Sequence, residues 1–269
     1  MLDLVDNFFV TIALLTDFGL RDYFVGAMKG VILSIDPRAV IVDITHAIQP
    51  QSIRTAAFTL AACFRDFPRG TIFVAVVDPG VGSSRGAIAA QSGDHYFVGP
   101  DNGVLSFALH NVIDGAESSS FSAVNLTNKR YFNSSVSHTF HGRDIFAPVA
   151  AHLSLGTPLS EFGPAVRDVV LLPFPKPATT GDRVFAEVVN IDRFGNVVTN
   201  LKLADLREPF QININSHHIS KLLSSYAESN SKELFAVEGS LGFIELSVRD
   251  GSASEFLNAK VGDRVAVTF

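Results

Sequence analysis

Three apolar runs, FVTIALLT, AVIVDIT and TIFVAVV, lie within the first 77 residues, with an amphipathic stretch in each gap. A run without polar alternation suits a strand covered on both faces, and strands alternating with helices build parallel βαβ units. In the first gap, RDYFVGAMKGVILSID repeats Phe24, Met28, Val31 and Ile35 at three- and four-residue steps. Asp22 stands at the expected helix start, where a carboxylate complements the helix dipole. In the second gap Ile53, Ala57, Leu60, Phe64 and Phe67 form a stripe that Pro68-Arg69-Gly70 stops. The greasy start lacks a basic segment and is broken by Asp3 and Asp6. Its uncharged run from 7 to 16 is too short to span a bilayer, so it is read as leading into a buried first strand.

Further on, GAIAAQ and HYFVG read as paired strands, NGVLSFAL as a short helix, and GRDIFAPVAAHLSL as a helix that tolerates Pro148 only through a kink or an early restart. Residues 1–172 are therefore predicted as an α/β domain with a mixed, mainly parallel sheet. Three prolines in five positions suit an extended connector at 173–182. Short β-rich runs separated by Gly, Asn and Asp turns then predict a smaller all-β domain, an antiparallel barrel, over 183–269.

A formal net charge of -6 without a Lys/Arg cluster argues against nucleic acid and anionic membranes as partners. The aromatic content, 23 Phe against 4 Tyr and no Trp, implies core and pocket wall more than hydrogen-bonding surface. The single cysteine, Cys63, cannot form an internal disulfide and is expected to be buried and inert, which makes the cytoplasm the default location.

Two acids, Asp17 and Asp78, directly follow apolar strands, the place where open α/β sheets bind ligands. They would serve equally well as turn or N-cap residues. In VVDPGVGSSRG, a lone cation, Arg85, follows Asp78 by seven residues. His141 sits in TFHGRDIF between Phe140 and Gly142, next to Arg143 and Asp144, and on its own reads as either a satisfied core histidine or an acid–base group. In IDRFGNVVTN, Asp192, Phe194 and Asn196 could offer an acid to a cation, a phenyl face for stacking and an amide for a base edge; a plain β-turn accounts for them too. No GxGxxG, Walker A, CxxC or HExxH motif is present, and no histidine spacing suggests a metal.

Taken in order, LLTDFGLRDYFVGAMKG, VVDPGVGSSR, FVGPDNGVL, FHGRDIFAPVAAHL, IDRFGN and KVGDRV closely resemble the S-adenosylmethionine hydroxide adenosyltransferase family, relatives of the fluorinase and chlorinase enzymes. The resemblance implies hydrolysis of S-adenosylmethionine to adenosine and methionine without metal or cofactor. It also implies a homotrimer whose sites lie between one subunit's N-domain and its neighbour's C-domain. By position it places the catalytic set on Asp78, Arg85 and His141, the ribose contact on Asp17, and a loop residue near the methionine end on Asp22. Asp192 matches the acid that meets the methionine ammonium, Phe194 and Asn196 the adenine contacts, and Ser240 a serine at the methionine carboxylate. Gly239 stands where relatives often have asparagine, and Leu241 where the fluorinase has arginine.

Halogenation fits poorly. Asp78 stands at the fluorinase's tyrosine position, and Val81 and Gly142 at its halide-binding threonine and serine positions, so a carboxylate would repel the halide and no hydroxyl would receive it. Two other rivals are a module that binds S-adenosylmethionine or adenosine without turning it over, and a metal-dependent nucleotide hydrolase.

Overall fold

Residues 9–114 and 121–269 are described by the structure, a computed structural model. Asp3 and Asp6 lie outside the described residues. The three apolar runs become β1 (Thr11–Thr16), β2 (Val40–Thr45) and β3 (Ile72–Val76), separated by α1 (Phe24–Ile35) and α2 (Ile53–Cys63). Both β1, apart from its first residue, and β3 are fully buried, as a strand covered on both faces must be. The sheet continues through β4 (Ala87–Ser92), β5 (His95–Pro100), α3 (Ser106–Leu109), β6 (Phe121–Asn125), α4 (Ala147–Ser154) and β7 (Ala165–Val166). Its order is β2-β1-β3-β5-β4-β6-β7.

The pairings β1–β2, β1–β3 and β3–β5 are parallel, whereas β4–β5, β4–β6 and β6–β7 are antiparallel. The sheet is thus mixed, with parallel and antiparallel pairing in equal share. A hairpin as tight as GAIAAQSGDHYFVG can only pair antiparallel, which is what breaks the parallel half.

Helix α1 turns its face one position from the expected stripe: Val25, Met28 and Ile32 are buried, and no acid lies in its first turn. Asp22 precedes the helix and is exposed. Phe24 instead joins an aromatic cluster with Phe18 and Phe140, at centroid separations of 5.6 and 5.2 Å.

The region around Pro148 restarts. A π-helical turn over Gly142–Phe146 runs into α4, which carries Pro148 in its first turn. Proline cannot donate to the carbonyls four and five residues back. Asn133 takes both: its backbone N–H donates to Asp144 O at 2.9 Å, and its side chain to Arg143 O at 3.2 Å.

The chain divides into two compact units, Met1–Pro173 and Phe174–Phe269. The second holds β8 (Ala178–Thr180), β9 (Arg183–Ile191), β10 (Val197–Thr199), β11 (Gln211–Ile214), β12 (His217–Ile219), β13 (Leu222–Leu223), β14 (Leu234–Glu238), β15 (Ile244–Val248), α5 (Ala253–Leu257) and β16 (Arg264–Thr268). They form one curled nine-stranded sheet, ordered β12-β11-β16-β9-β10-β15-β14-β13, with β8 added on β9.

Three details of this unit go beyond the runs read from the sequence. Residues 178–180, assigned to the connector, pair with β9. A short helix, α5, interrupts the strands, its N-terminus capped by the Ser252 hydroxyl accepting from Glu255 N–H at 3.2 Å. One pairing, β13–β14, is parallel. The unit is strand-rich and curled rather than all-β and antiparallel. Its core is mainly aliphatic, built on Val188, Val197, Leu201, Ile212, Ile244, Leu246 and Val265 with Phe210 among them.

Candidate active site

The seven-residue gap between Asp78 and Arg85 closes through two successive turns. Val81 N–H donates to Asp78 O at 3.2 Å and Ser83 N–H to Gly80 O at 3.1 Å. The Ser83 hydroxyl, donating to Gly80 O at 2.6 Å, accepts Arg85 N–H at 3.3 Å. Arg85 thereby folds back on the acid: Nε donates to Asp78 Oδ1 at 3.0 Å and Nη2 to Oδ2, a bidentate pair. The side chains are 5% (Asp78) and 11% (Arg85) exposed. The guanidinium lies over the Phe146 ring at 5.4 Å, and Nη1 donates to Gly86 O at 3.0 Å.

The second proton of Arg85 Nη2 goes to His141 Nδ1 at 2.8 Å. A guanidinium only donates, so Nδ1 must be the acceptor and the neutral ring carries its proton on Nε2. Burial and the neighbouring guanidinium lower the His141 pKa below the ordinary imidazole value, although Asp78 pulls it upward. Asp78, Arg85 and His141 are therefore one connected cluster.

Two features seat it. Gly82 has φ of +78°, and a Cβ there would stand 2.3 Å from His138 O, so the Asp78–Arg85 loop presses directly on the loop that carries His141. Asp144, fully buried, accepts from Arg143 Nε at 2.7 Å, Asn133 Nδ2 at 3.0 Å and Ser137 N–H at 2.9 Å. Burial raises its pKa, but these donors outweigh burial and bring it to about 2. Sequence reasoning noted Asp144 only as a neighbour of His141 and missed Asn133, because their partners come from a loop folded back over the π-helical turn.

Asp17 leaves β1 beside β3, whose Val76 pairs with Thr16, so Asp17 and Asp78 follow the same ends of adjacent parallel strands. One Asp17 oxygen, Oδ2, is held by Gln51 N–H at 2.8 Å. Its loop is pinned by Thr16 Oγ1···His46 Nδ1 at 2.8 Å and by Gly19 N–H to His46 O at 2.7 Å. Phe18 reaches Phe140 edge-on at 5.9 Å, which joins the Asp17 loop to the His141 loop. A Cβ on Gly142 would lie 3.2 Å from Met28 Sδ and 3.3 Å from Phe140, leaving little room for a hydroxyl side chain. Asp22, by contrast, stands exposed in the loop before α1 and is not gathered with the others.

The second unit gathers the rest. Asp192, Phe194, Asn196 and Ser240 line one cavity of about 810 Å³, together with Tyr226, Glu238, Gly239 and Glu245. Asp192 accepts from Phe194 N–H, Asn196 N–H and Asn196 Nδ2, each at 2.8 Å. Gly195, at φ of +83°, closes this turn where a Cβ would strike Ser252 Oγ at 2.1 Å. Phe194 is 78% exposed, its face open to a planar ligand. Sequence reasoning missed Tyr226 and Glu245, which sit on a 3₁₀ turn and on β15 with no motif around them.

Cys63 is half-buried at the end of α2, and burial with Asp66 pushes its thiol up to about 11, so little nucleophilic thiolate forms at neutral pH. Among the described residues no three His, Cys, Asp or Glu side chains converge as a metal site, and no helix is long and apolar enough to cross a membrane.

Residues 12–163 match the SAM hydroxide adenosyltransferase N-terminal domain, and residues 186–266 the C-terminal domain of the same family. An (R)-S-adenosyl-L-methionine hydrolase of Salinispora tropica is 39% identical over 260 residues, covering 96% of this chain and 97% of the relative. A crystal structure of an uncharacterized conserved protein from Thermotoga maritima superposes with a TM-score of 0.86 at 36% identity, covering 96% of this chain and all of that one. A fluorinase of Actinoplanes is more distant, 30% identical over 73% of each chain. Matches to both domain profiles, over units that carry the paired acid, arginine and histidine in one and the acid-and-phenyl cavity in the other, make this chain a member of the SAM hydroxide adenosyltransferase family.

Proposed function

We propose that the chain hydrolyses S-adenosyl-L-methionine to adenosine and L-methionine, water displacing methionine at the ribose 5′ carbon. The observation that carries this reading is the bidentate Asp78–Arg85 pair with His141 on the same guanidinium. Attack of a hydroxide-like oxygen on a sulfonium destroys charge in the transition state, so a dry, phenyl-walled site favours the transition state over the ground state. Phe18, Phe24, Phe140 and Phe146 supply such walls.

Asp78 is the proton acceptor in this scheme. The one lone pair of neutral His141 is committed to Arg85, whereas each Asp78 oxygen keeps a second acceptor direction for water. Arg85 orients the carboxylate and stabilises negative charge developing on the attacking oxygen, and His141 fixes Arg85 while offering an Nε2 proton. Asp17 holds the ribose hydroxyls, Asp192 the methionine ammonium, Phe194 and Asn196 the adenine, and Ser240 and Asp22 border the methionine end. No metal or cofactor takes part.

Incubation with S-adenosylmethionine is expected to release adenosine and methionine in equal amounts, at a rate a chelator does not change. Chloride or fluoride is expected to yield no 5′-halogenated nucleoside. Tight binding without products would favour a sensing module, and a halogenated product would favour the fluorinase chemistry.

The finer architecture is part of the same proposal: the curled sheet serves as the barrel that the resemblance implies, and the active species is a cytoplasmic homotrimer whose copies complete one another's sites. Light scattering in solution is expected to give three times the 28.9 kDa chain mass, and a monomer would overturn the shared site.

A further inference from the structure

Glu245 stands out in the cavity of the second unit because its surroundings suit a cationic ligand that the chain itself does not supply. Its carboxylate is half-buried on β15 and accepts one hydrogen bond, from Tyr226 Oη to Oε2 at 2.7 Å. Neither Glu245 nor Asp192 has an ion-pair partner among the described residues, although both line the same cavity. Two carboxylates close enough to repel each other in a half-dry pocket each favour a cation between them. Burial first, then the Asp192 charge, raise the Glu245 pKa in spite of the Tyr226 bond.

A second, independent feature is steric. A Cβ at position 239 would fall 2.0 Å from Glu245 Oε1 and 2.5 Å from its Cδ. The carboxylate is folded over Gly239, in the space that a side chain there would occupy, which directs it to the cavity wall next to Ser240. Gly239 N–H donates to Phe243 O at 2.8 Å, and Gly242 N–H to Gly239 O at 2.9 Å, so the hairpin between β14 and β15 holds this glycine in place. No positive φ accounts for a glycine at 239; the room it leaves for Glu245 does.

The only guanidinium on the cavity wall among the described residues, Arg249, spends Nη1 on the carbonyls of Ala227 and Ser229, at 3.1 and 2.5 Å. Against it the same wall carries Asp192, Glu238, Glu245 and Asp250, so the cavity is richer in anionic than in cationic groups.

We propose that Glu245 is a specificity-determining residue: with Asp192 it forms a two-carboxylate receptor for the terminal ammonium of a sulfonium nucleoside, and Gly239 is the vacancy that lets it reach. The inference rests on the proposed function and adds to it a second carboxylate, Glu245, on the ammonium that Asp192 holds there, with Gly239 as the position that makes room for it.

The test follows adenosine release by the full-length wild type, E245Q and G239A. Each is given S-adenosylmethionine and the analogue that lacks only the α-amino group. Loss of a charge-assisted contact is expected to raise KM for S-adenosylmethionine about tenfold or more in both variants, with kcat within about threefold of wild type. KM for the deaminated analogue is expected to stay where it is, a selectivity that a merely structural defect would not produce.

An unchanged KM for S-adenosylmethionine in E245Q, or an equal rise for both substrates, overturns the proposal. A wild type that turns over neither substrate would instead overturn the function. Calorimetric binding of the same two ligands then decides on Glu245: weaker binding of S-adenosylmethionine alone by E245Q supports it, and equal binding by both proteins overturns it.

Discussion

Asp78→Asn is expected to lower kcat by about two orders of magnitude or more, the size of effect that a lost general base produces. Asparagine keeps the shape of the side chain and can still accept from Arg85 through one oxygen, so the two turns between positions 78 and 86 have no reason to rearrange. What disappears is the charge and the second accepting oxygen. Water at the site then meets an Nδ2–H₂ donor where it needs an acceptor, and His141 cannot substitute while its Nδ1 accepts from Arg85. His141→Ala is expected to cost a similar factor by a different route: Arg85 loses the partner that fixes its Nη2, and the carboxylate loses its fixed direction. Unchanged turnover in both variants would remove the mechanism.

The pH dependence separates the two routes. Because burial and Arg85 lower the His141 pKa, the ring is neutral at neutral pH and kcat/KM is expected to hold down to below pH ~6.5, the ordinary imidazole value. Protonation of Nδ1 then breaks the bond from Arg85, and activity falls. An acid limb centred above that value in the wild type would mean that His141 works in its charged form, contrary to the geometry.

Much of this site can be read along the chain because its parts sit beside local punctuation. Asp17 and Asp78 end apolar strands, and Asp192 opens a glycine turn whose own N–H groups it accepts. The contact of Asp78 with Arg85 needs only the short loop between them. The residues left unread depend on long-range closure. Asn133 matters because Arg143 O and Asp144 O receive no N–H from Pro148 where the π-helical turn passes into α4, a relation visible only once that turn has formed. Glu245 matters because the hairpin register lays it over Gly239. Asp22 shows the reverse error: a helix N-terminus was expected around it, yet the preceding loop runs on to Tyr23 and α1 starts at Phe24. The mixed character of the sheet is legible for the opposite reason, since two adjacent strands with a Gly-Asp turn pair antiparallel whatever the strands before them do; only the equal share of parallel and antiparallel pairing, set by β6 and β7, is not.

Asp144→Ala is expected to cost about 3 kcal/mol of stability, a Tm decrease of about 6–10 °C for a unit of 173 residues. The carboxylate is buried and satisfies Arg143, Asn133 and Ser137 together, so its removal leaves the Ser137 N–H without its acceptor and the Asn133 amide with only Arg143 O. Arg143 is 34% exposed and can return to water, which keeps the cost below that of stranding a fully buried charge. The pH dependence has a definite sign. With a folded pKa of about 2 against an unfolded value near 3.9, the contribution of Asp144 is present above about pH 4 and fades as pH falls toward 2. Asp144→Asn is expected to remove that fading while retaining part of the hydrogen bonding, and urea unfolding at pH 7 and pH 3 distinguishes the two variants. Because Asn133 and Asp144 hold the loop that ends in His141, the alanine variant should also lose kcat even where it remains folded. Full stability at pH 7 together with full turnover would mean that the turn preceding α4 needs no such brace, and that Gly82 against His138 positions His141 alone.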